Sequence, residues 1–260
     1  MSNPRIRLAY GQEALQFGEL HLPDGAGPFP TAILIHGGFW RNPYDLTLMT
    51  GLAADLARRG LAAWNIEYRR VGDAGGGWPN TLLDVAQAVD HLFTLGARYP
   101  LDLDKVVPIG HSAGGQLAFW LAARHRIPPD SALAPPHTPF ALAGAISQAG
   151  AVDLDMTWRM NLGKGAAAEL LNGSPTEVPG RYAAASPAAL LPLGIPQALV
   201  HGTADDRVPY VLSEAYLQAA QAAGDDAELI ALPGVDHFAL IDPASQAWAK
   251  TVEALQKLLS

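Results

Sequence analysis

Short apolar runs alternate with amphipathic stretches along most of this 260-residue chain. From residue 31 onwards, each run rich in aliphatic residues is followed by a segment whose apolar positions recur at helical spacing. The runs predict buried strands, and the segments between them predict helices. Strict alternation of this kind is typical of an α/β protein with a doubly wound, mostly parallel sheet, whose ligand site lies at the carboxyl ends of the strands.

The order of these elements predicts an eight-stranded sheet in a single domain covering residues 1–260. Residues 5–22 alternate apolar and polar positions around Gly11, which predicts an N-terminal hairpin. Six further strands are predicted at 31–35, 61–68, 106–109, 140–147, 197–200 and 228–232. Helices are expected after Pro43, Pro79 and Ser112, and at about 209–223 and 243–259. Residues 150–192 have weak periodicity with many Ala and Gly, which predicts a small, cap-like helical insertion over the site.

Composition and charge remove several classes of function. The formal charge is −8, with 17 Lys and Arg against 25 Asp and Glu, and the cationic residues form no cluster that could neutralise phosphates, so nucleic acid is not expected as a partner. No apolar run approaches the length of a membrane span, and the first residues lack the pattern of a signal peptide. We therefore expect a cytoplasmic protein without a membrane partner. With no cysteine, neither a thiolate metal site nor a cysteine nucleophile is possible.

The stretch from Val106 to Leu117 carries the strongest chemical signal. A β-rich run enters Gly110-His111-Ser112-Ala113-Gly114, and a helical pattern leaves it. Small residues two positions before and after Ser112 allow a strand and a helix to approach closely around a sharp turn, as in the G-x-S-x-G nucleophile elbow. We therefore predict that Ser112 is a nucleophile, with the side chain of His111 pointing away from the apex.

A serine nucleophile needs a histidine base and a carboxylate that orients it. His237 follows the last predicted strand, where such a base is expected. Asp205 and Asp206 compete for the role of the acid, and the run H-G-x-x-D-x-x-V-P favours Asp205, with Asp206 as a cap of the following turn or helix. Asp236 is adjacent to His237 and therefore poorly placed to orient the same ring.

Acyl transfer also needs donors for the oxyanion, and bare backbone amides can supply them. The amide of Ala113 follows the nucleophile directly. Two more are expected from Gly38 and Phe39, in the H-G-G turn that follows the first central strand.

These motifs together resemble serine hydrolases of the α/β-hydrolase fold, in the branch of small esterases that carry HGG-x-W and GHSAGG. The resemblance rests on residues 36–40, 110–115, 201–205 and 236–238. HGG followed by an aromatic residue and Trp also resembles kynurenine formamidases, whereas hormone-sensitive-lipase-type esterases have a third glycine where Phe39 stands. The resemblance implies a two-step mechanism through an acyl-enzyme, with no metal and no organic cofactor.

The expected substrate is a small ester or amide. Aromatic and sulfur-bearing residues fall in loops near the expected mouth of the site, which predicts an apolar pocket for an acyl or aryl group. Its predicted members are Trp40, Trp78, Trp158, Met160 and Phe238. Cleavage of small or aryl carboxylic esters is the leading hypothesis, with arylformamide hydrolysis as the alternative. An exopeptidase and a catalytically inactive binding module are less favoured. The sequence makes no prediction of the oligomeric state.

Overall fold

Eight strands form one mostly parallel sheet in the computed structural model, which describes residues 5–260. Residues 1–4, which belong to the segment inspected for a signal peptide, lie outside the described residues. The strands are β1 (Arg5–Ala9), β2 (Phe17–His21), β3 (Phe29–Ile35), β4 (Ala62–Ile66), β5 (Leu101–His111), β6 (Ala145–Gln148), β7 (Gln197–Gly202) and β8 (Ala227–Leu232). Their order across the sheet is β1-β2-β4-β3-β5-β6-β7-β8. The predicted fold class is confirmed.

The N-terminal hairpin is also present, and it forms the antiparallel edge of the sheet. β1 pairs antiparallel with β2, and β2 pairs antiparallel with β4. From β4 through β8 all pairings are parallel. The carboxyl ends of these parallel strands therefore meet at one edge, as the alternation of elements predicts.

Helices cover both faces of the sheet. The helices are α1 (Thr47–Arg58), α2 (Asn80–Asp90), α3 (Leu92–Gly96), α4 (Ala113–Ala122), α5 (Leu154–Arg159), α6 (Ala166–Leu171), α7 (Pro179–Ala185), α8 (Val211–Ala222) and α9 (Gln246–Leu258). Apolar residues of α1 and α9 pack on one face, and those of α2, α4 and α8 belong to the larger apolar cluster on the other. Within residues 5–260, no helix combines the length and the hydropathy that a bilayer crossing requires.

Most elements end within two or three residues of their predicted boundaries, and three differ more. β5 begins at Leu101 rather than Val106, because its first residues pair with Phe29 and Pro30 before the register shifts. β6 spans 145–148 rather than 140–147, since Phe140 packs against the ring of Phe93 at 4.7 Å between centroids instead of joining the sheet. The helix expected after Pro79 is divided at His91 into α2 and α3.

The segment between β6 and β7 is helical, as predicted. It contains α5, α6 and α7 together with two short 3₁₀ helices, at Leu162–Lys164 and Pro187–Leu190. Its apolar residues belong to the same cluster as α2 and α4. Burial of these side chains, rather than strong intrinsic periodicity, holds such short helices in place.

A buried polar contact connects the C-terminal helix to α1 beneath the sheet. The indole Nε1 of Trp248 in α9 donates to Oδ2 of Asp55 in α1 at 2.7 Å. Burial alone would raise the pKa of Asp55, but hydrogen bonds from Trp248, Arg59 and Arg58 outweigh it and hold this pKa below its usual value. The pair therefore adds stability while Asp55 is ionised, and that contribution is lost as the pH falls through the lowered pKa.

We expect Trp248→Phe to lower the free energy of unfolding by about 2–3 kcal/mol at pH 7, because the carboxylate loses a buried donor and the core loses volume. Urea denaturation at a series of pH values from 7 down to 2 measures this loss, which should shrink as the pH falls through the lowered pKa of Asp55. Trp158→Phe is the matched control, since this indole is 37% exposed and its replacement should change the stability by less than about 0.5 kcal/mol. A loss for Trp248→Phe that does not vary with pH would contradict a role for the hydrogen bond.

Candidate active site

Ser112 lies at the apex of a sharp turn between β5 and α4. Its backbone has φ +57° and ψ −118°, a conformation that L-residues rarely adopt. The turn needs glycine on both sides: a Cβ on Gly110 would lie 1.8 Å from the carbonyl oxygen of Gly114, and a Cβ on Gly114 would lie 2.1 Å from that of Ile35. The structure thus contains the elbow predicted from the spacing of the glycines.

Asp205 follows β7, and its carboxylate is buried and fully engaged. Oδ1 accepts the amides of Arg207 and Val208, each at 2.8 Å, and Oδ2 faces Nδ1 of His237 at 2.6 Å. Burial alone would raise the pKa of Asp205, but hydrogen bonds from His201 and His237 outweigh it and hold the pKa far below its usual range. Asp205 is therefore ionised at neutral pH.

The neighbouring acidic residues have other roles. Asp206 is exposed and pairs with Arg207 at 3.3 Å. Asp236 accepts the amides of Phe238 and Ala239, so it caps the turn after His237 rather than contacting the imidazole. Of the three aspartates considered from the sequence, the structure brings only Asp205 to the ring of His237.

His111 was wrongly expected to point away from the elbow. Its ring lies 4.4 Å from the ring of His237, measured between centroids, and its Nε2 is 2.9 Å from the backbone oxygen of His237. A carbonyl oxygen only accepts, so Nε2 carries the proton of a neutral ring. Burial first, and then the nearby charge of His237, lower the pKa of His111 to about 3. His111 is thus a neutral donor that connects the elbow to the loop of the candidate base.

The H-G-G turn after β3 packs directly against the elbow. A Cβ on Gly37 would lie 2.7 Å from the carbonyl oxygen of His111 and 2.8 Å from Cβ of Ser112. Gly38 and Phe39 have φ values of +109° and +52°. Ala113 begins α4, and the first amides of a helix have no acceptor within it. The three predicted oxyanion donors therefore belong to two segments that meet around Ser112.

A buried ionic network lies beneath this turn, and no sequence motif indicates its centre, Glu67. One oxygen of Glu67 faces Nε2 of His36 at 3.0 Å and Arg70 at 3.3 Å, and the other accepts the amide of Leu46 at 3.1 Å. His36 also places Nδ1 2.8 Å from the oxygen of Gly37. Glu67 thereby connects the first residues of the H-G-G turn to the residues that follow it.

Ser112 and His237 open into the same cavity, of about 100 Å³. It is lined by Gly38, Phe39, Tyr44, Leu48, His111, Ser112, Arg207, His237 and Phe238. Tyr44, Leu48 and Arg207 were not predicted as site residues. The only feature of the sequence that could have indicated them is their position, because each residue follows closely on a predicted motif. Within residues 5–260, no group of three or more His, Asp and Glu side chains is arranged to hold a metal ion.

Of the five predicted pocket residues, only Phe238 lines this cavity. Trp40 is fully buried, and its Nε1 donates to Oε1 of Gln116 at 2.9 Å, so it connects the oxyanion turn to α4 instead of facing a substrate. Trp78 borders a separate surface depression, with the guanidinium of Arg181 5.6 Å from its ring centroid. The prediction that Trp40 and Trp78 line the pocket is wrong, because tertiary packing turns both rings elsewhere.

Trp158 and Met160 are partly exposed at the end of α5 and do not line the cavity either. The insertion borders the site from the side, because Gly163 packs on the ring of Phe39 and Glu169 pairs with Arg41 at 2.7 Å. None of the described residues 150–192 lines the cavity. The cap-like position expected for this segment over the nucleophile is therefore not found.

Comparison with known proteins identifies the family of this chain. The BD-FAE family model matches residues 19–219, which include the oxyanion turn, the elbow and Asp205. The chain belongs to the BD-FAE family. The resemblance inferred from the motifs is thus confirmed at the level of the family and the fold.

Two curated relatives of this BD-FAE protein are hydrolases by name. The chain is 35% identical over 126 residues to kynurenine formamidase avaC from Aspergillus versicolor, a match that covers 44% of this chain and 41% of that protein. It is 25% identical over 265 residues to a probable isoprenylcysteine alpha-carbonyl methylesterase, ICMEL1, from Oryza sativa subsp. japonica, covering 95% of this chain and 60% of that protein. The chain thus spans less than two thirds of either relative.

Solved structures of esterases share the fold of this BD-FAE protein. A truncated carbohydrate esterase from gut microbiota superposes with a TM-score of 0.83 at 19% identity, covering 99% of this chain and 97% of that one. Esterase B from Lactobacillus rhamnosis superposes with a TM-score of 0.84 at 22% identity, covering 99% and 85%. At these identities the likeness establishes the α/β-hydrolase fold alone.

We expect His111→Leu to lower the kcat of hydrolysis at this site by about 10- to 100-fold, because the loop of His237 loses the donor that holds it against the elbow. His111→Gln, whose amide can donate from nearly the same place, should recover most of that loss. Since His111 stays neutral above about pH 3, the ratio of wild-type to variant rates should be constant from pH 5 to pH 9. Steady-state kinetics, with thermal unfolding as the control for folding, measures both. Equal rates for the Leu and Gln variants would contradict this role.

Proposed function

We propose that this BD-FAE protein is a serine hydrolase that cleaves carboxylic esters of small or aryl substrates through an acyl-enzyme. The observation that carries the proposal is the 2.6 Å contact between Asp205 and Nδ1 of His237, beside a cavity that also contains Ser112. Because Nδ1 donates to the carboxylate, the lone pair of the neutral ring is on Nε2, where a base for Ser112 is needed.

In the proposed first step, Nε2 of His237 takes the hydroxyl proton while Oγ of Ser112 bonds to the substrate carbonyl carbon. The carbonyl electron pair moves onto oxygen, and the amides of Gly38, Phe39 and Ala113 donate to this oxyanion. As the carbonyl re-forms, the bond to the leaving oxygen breaks, and His237 gives its proton to that oxygen. Water then repeats the sequence on the acyl-enzyme, which releases the carboxylic acid and restores Ser112.

The size of the cavity favours short acyl groups. Its volume of about 100 Å³ lies below the range of about 300–1,000 Å³ that is typical of pockets for drug-sized ligands. An acetyl or propionyl group fits such a space, whereas a long chain would have to leave it through the mouth. Phe39, Tyr44, Leu48 and Phe238 make most of the lining apolar, which also suits an aryl group at the rim.

Arylformamide hydrolysis is the second candidate, favoured by the 35% identity to a kynurenine formamidase over part of the chain. A formyl group is smaller than acetyl and fits the same cavity. The same residues would serve, with His237 protonating a leaving nitrogen instead of an oxygen. The two candidates differ only in the substrate, so kinetics must separate them.

Several expectations from the sequence stay predictions. They are the cytoplasmic location, the organisation of residues 1–260 as a single domain, the independence from cofactors, and the lack of nucleic-acid and membrane partners. Cell fractionation and size-exclusion chromatography with light scattering would test the location and the oligomeric state.

We expect p-nitrophenyl acetate to be hydrolysed with a kcat/KM at least about tenfold above that of p-nitrophenyl octanoate, because each methylene that the cavity rejects costs binding in the transition state. N-Formylkynurenine in the same assay decides between the two candidates, since a larger kcat/KM for it makes the enzyme a formamidase. Preference for aminoacyl anilides would instead indicate an exopeptidase, and no turnover of any substrate a binding module.

Ser112→Ala tests whether Ser112 is the nucleophile, and we expect it to lower kcat for p-nitrophenyl acetate at least about 10⁴-fold. Ser147→Ala is the matched control, because Ser147 is a buried serine at the end of β6 that does not line the cavity. Undiminished hydrolysis by Ser112→Ala would rule out the mechanism.

A further inference from the structure

Arg207 is the one charged residue, His aside, among the nine residues that line the cavity. It is set in an acidic protein, with a formal charge of −8. Among the lining residues it therefore supplies the only permanent positive charge beside Ser112. No step of the proposed ester hydrolysis uses this charge, so its place at the cavity needs another explanation.

The position of Arg207 is fixed by the same carboxylate that orients His237. Its amide donates to Oδ1 of Asp205 at 2.8 Å, while Oδ2 of that residue faces the imidazole. The backbone of Arg207 therefore cannot shift without disturbing Asp205. Its side chain starts from a rigid point next to the candidate base.

The guanidinium itself is only weakly engaged. Nε lies 3.3 Å from Oδ1 of Asp206, and the two side chains are 55% and 75% exposed. An exposed pair of this kind contributes little, because water screens it. Within residues 5–260, the two terminal amino groups of Arg207 have no hydrogen-bond partner. They remain available as a fork that matches a carboxylate.

Arg207 and Phe238 belong to the two loops that carry Asp205 and His237, and both line the cavity. In the proposed mechanism His237 hands its proton to the leaving oxygen, so that oxygen must be next to the imidazole. Phe238 is next to the imidazole: its ring stands edge-on to the ring of His237 at 5.4 Å between centroids, and it is 51% exposed. The predicted oxyanion donors Gly38 and Phe39 come from a different loop, the one that follows β3.

We propose that Arg207 and Phe238 form a subsite for leaving groups that carry a carboxylate on an aromatic ring. Phe238 contacts the ring, and the guanidinium fork binds the carboxylate. The preferred substrates are then carboxyphenyl esters of short acids rather than neutral aryl esters. This inference rests on the proposed ester hydrolysis and names its substrate class.

The test compares esters that differ only by the carboxylate. Phenyl acetate is the neutral substrate, and 3-acetoxybenzoate and 4-acetoxybenzoate are the anionic ones, so that two positions of the charge are sampled. The measured quantity is the ratio of kcat/KM for an anionic ester to that for phenyl acetate. Dividing the wild-type ratio by the ratio of a variant cancels the intrinsic reactivity of the esters.

We expect Arg207→Gln to lower this ratio about fivefold for at least one of the acetoxybenzoates, the effect of losing one partly exposed charge-assisted contact. Arg207→Lys should keep part of the preference, because it retains the charge without the fork. The wild-type ratio should fall between about 0.05 M and 0.5 M salt, while that of Arg207→Gln should not. Asp206→Asn, which removes the competing carboxylate, should raise the ratio.

Arg159→Gln is the matched control, since Arg159 is an exposed arginine on α5 paired with Asp155 and does not line the cavity. Its ratio should equal that of the wild type. Equal ratios for the wild type, Arg207→Gln and Arg159→Gln, with phenyl acetate still cleaved through Ser112, would overturn the subsite alone. Failure of the wild type to cleave any of the three esters would overturn the proposed function together with it.

Discussion

The close packing of β5 against α4 at Ser112 is the constraint on which the rest of the site depends. No side chain fits at Gly110 or Gly114, where a Cβ would lie 1.8 Å and 2.1 Å from backbone oxygens. The strand therefore turns directly into the helix, with Ser112 at positive φ. The strain of such a backbone, of order 1–3 kcal/mol, persists only because the surrounding packing leaves no alternative. In return the serine is presented at the edge where the parallel strands end.

Two buried carboxylates bring the other groups to that edge. Asp205 accepts two amides of its own loop and faces His237 at 2.6 Å, and so it holds both this loop and the imidazole of the candidate base in place. Glu67 faces His36 at 3.0 Å and accepts the amide of Leu46 at 3.1 Å, and so it holds the segment that contains the predicted oxyanion donors in place. Each carboxylate is satisfied by several donors, which is what allows a charge to remain buried. The cavity lies between the two loops that they hold.

Short sequence motifs predicted the features that depend on neighbouring residues along the chain. The contacts of the other site residues depend on tertiary packing and could not be predicted from these motifs. The sheet, the elbow and the pairing of Asp205 with His237 follow from short motifs in a fixed order along the chain. Trp40 could not be placed in the same way, because its indole turns to Gln116, 76 residues further on. His111 was misplaced since the partner of its ring belongs to a loop 126 residues away. Glu67 lies in no motif, and only the folded arrangement reveals that it connects both ends of the oxyanion turn.

Covalent trapping with a fluorophosphonate, followed by peptide mass mapping, tests most directly whether this edge of the sheet works as a serine hydrolase. The account predicts one adduct per chain, located on Ser112, with a rate of formation at least about 10³-fold slower in His237→Ala. An adduct on any other residue, or one that forms on Ser112 at an undiminished rate without the imidazole, would contradict it.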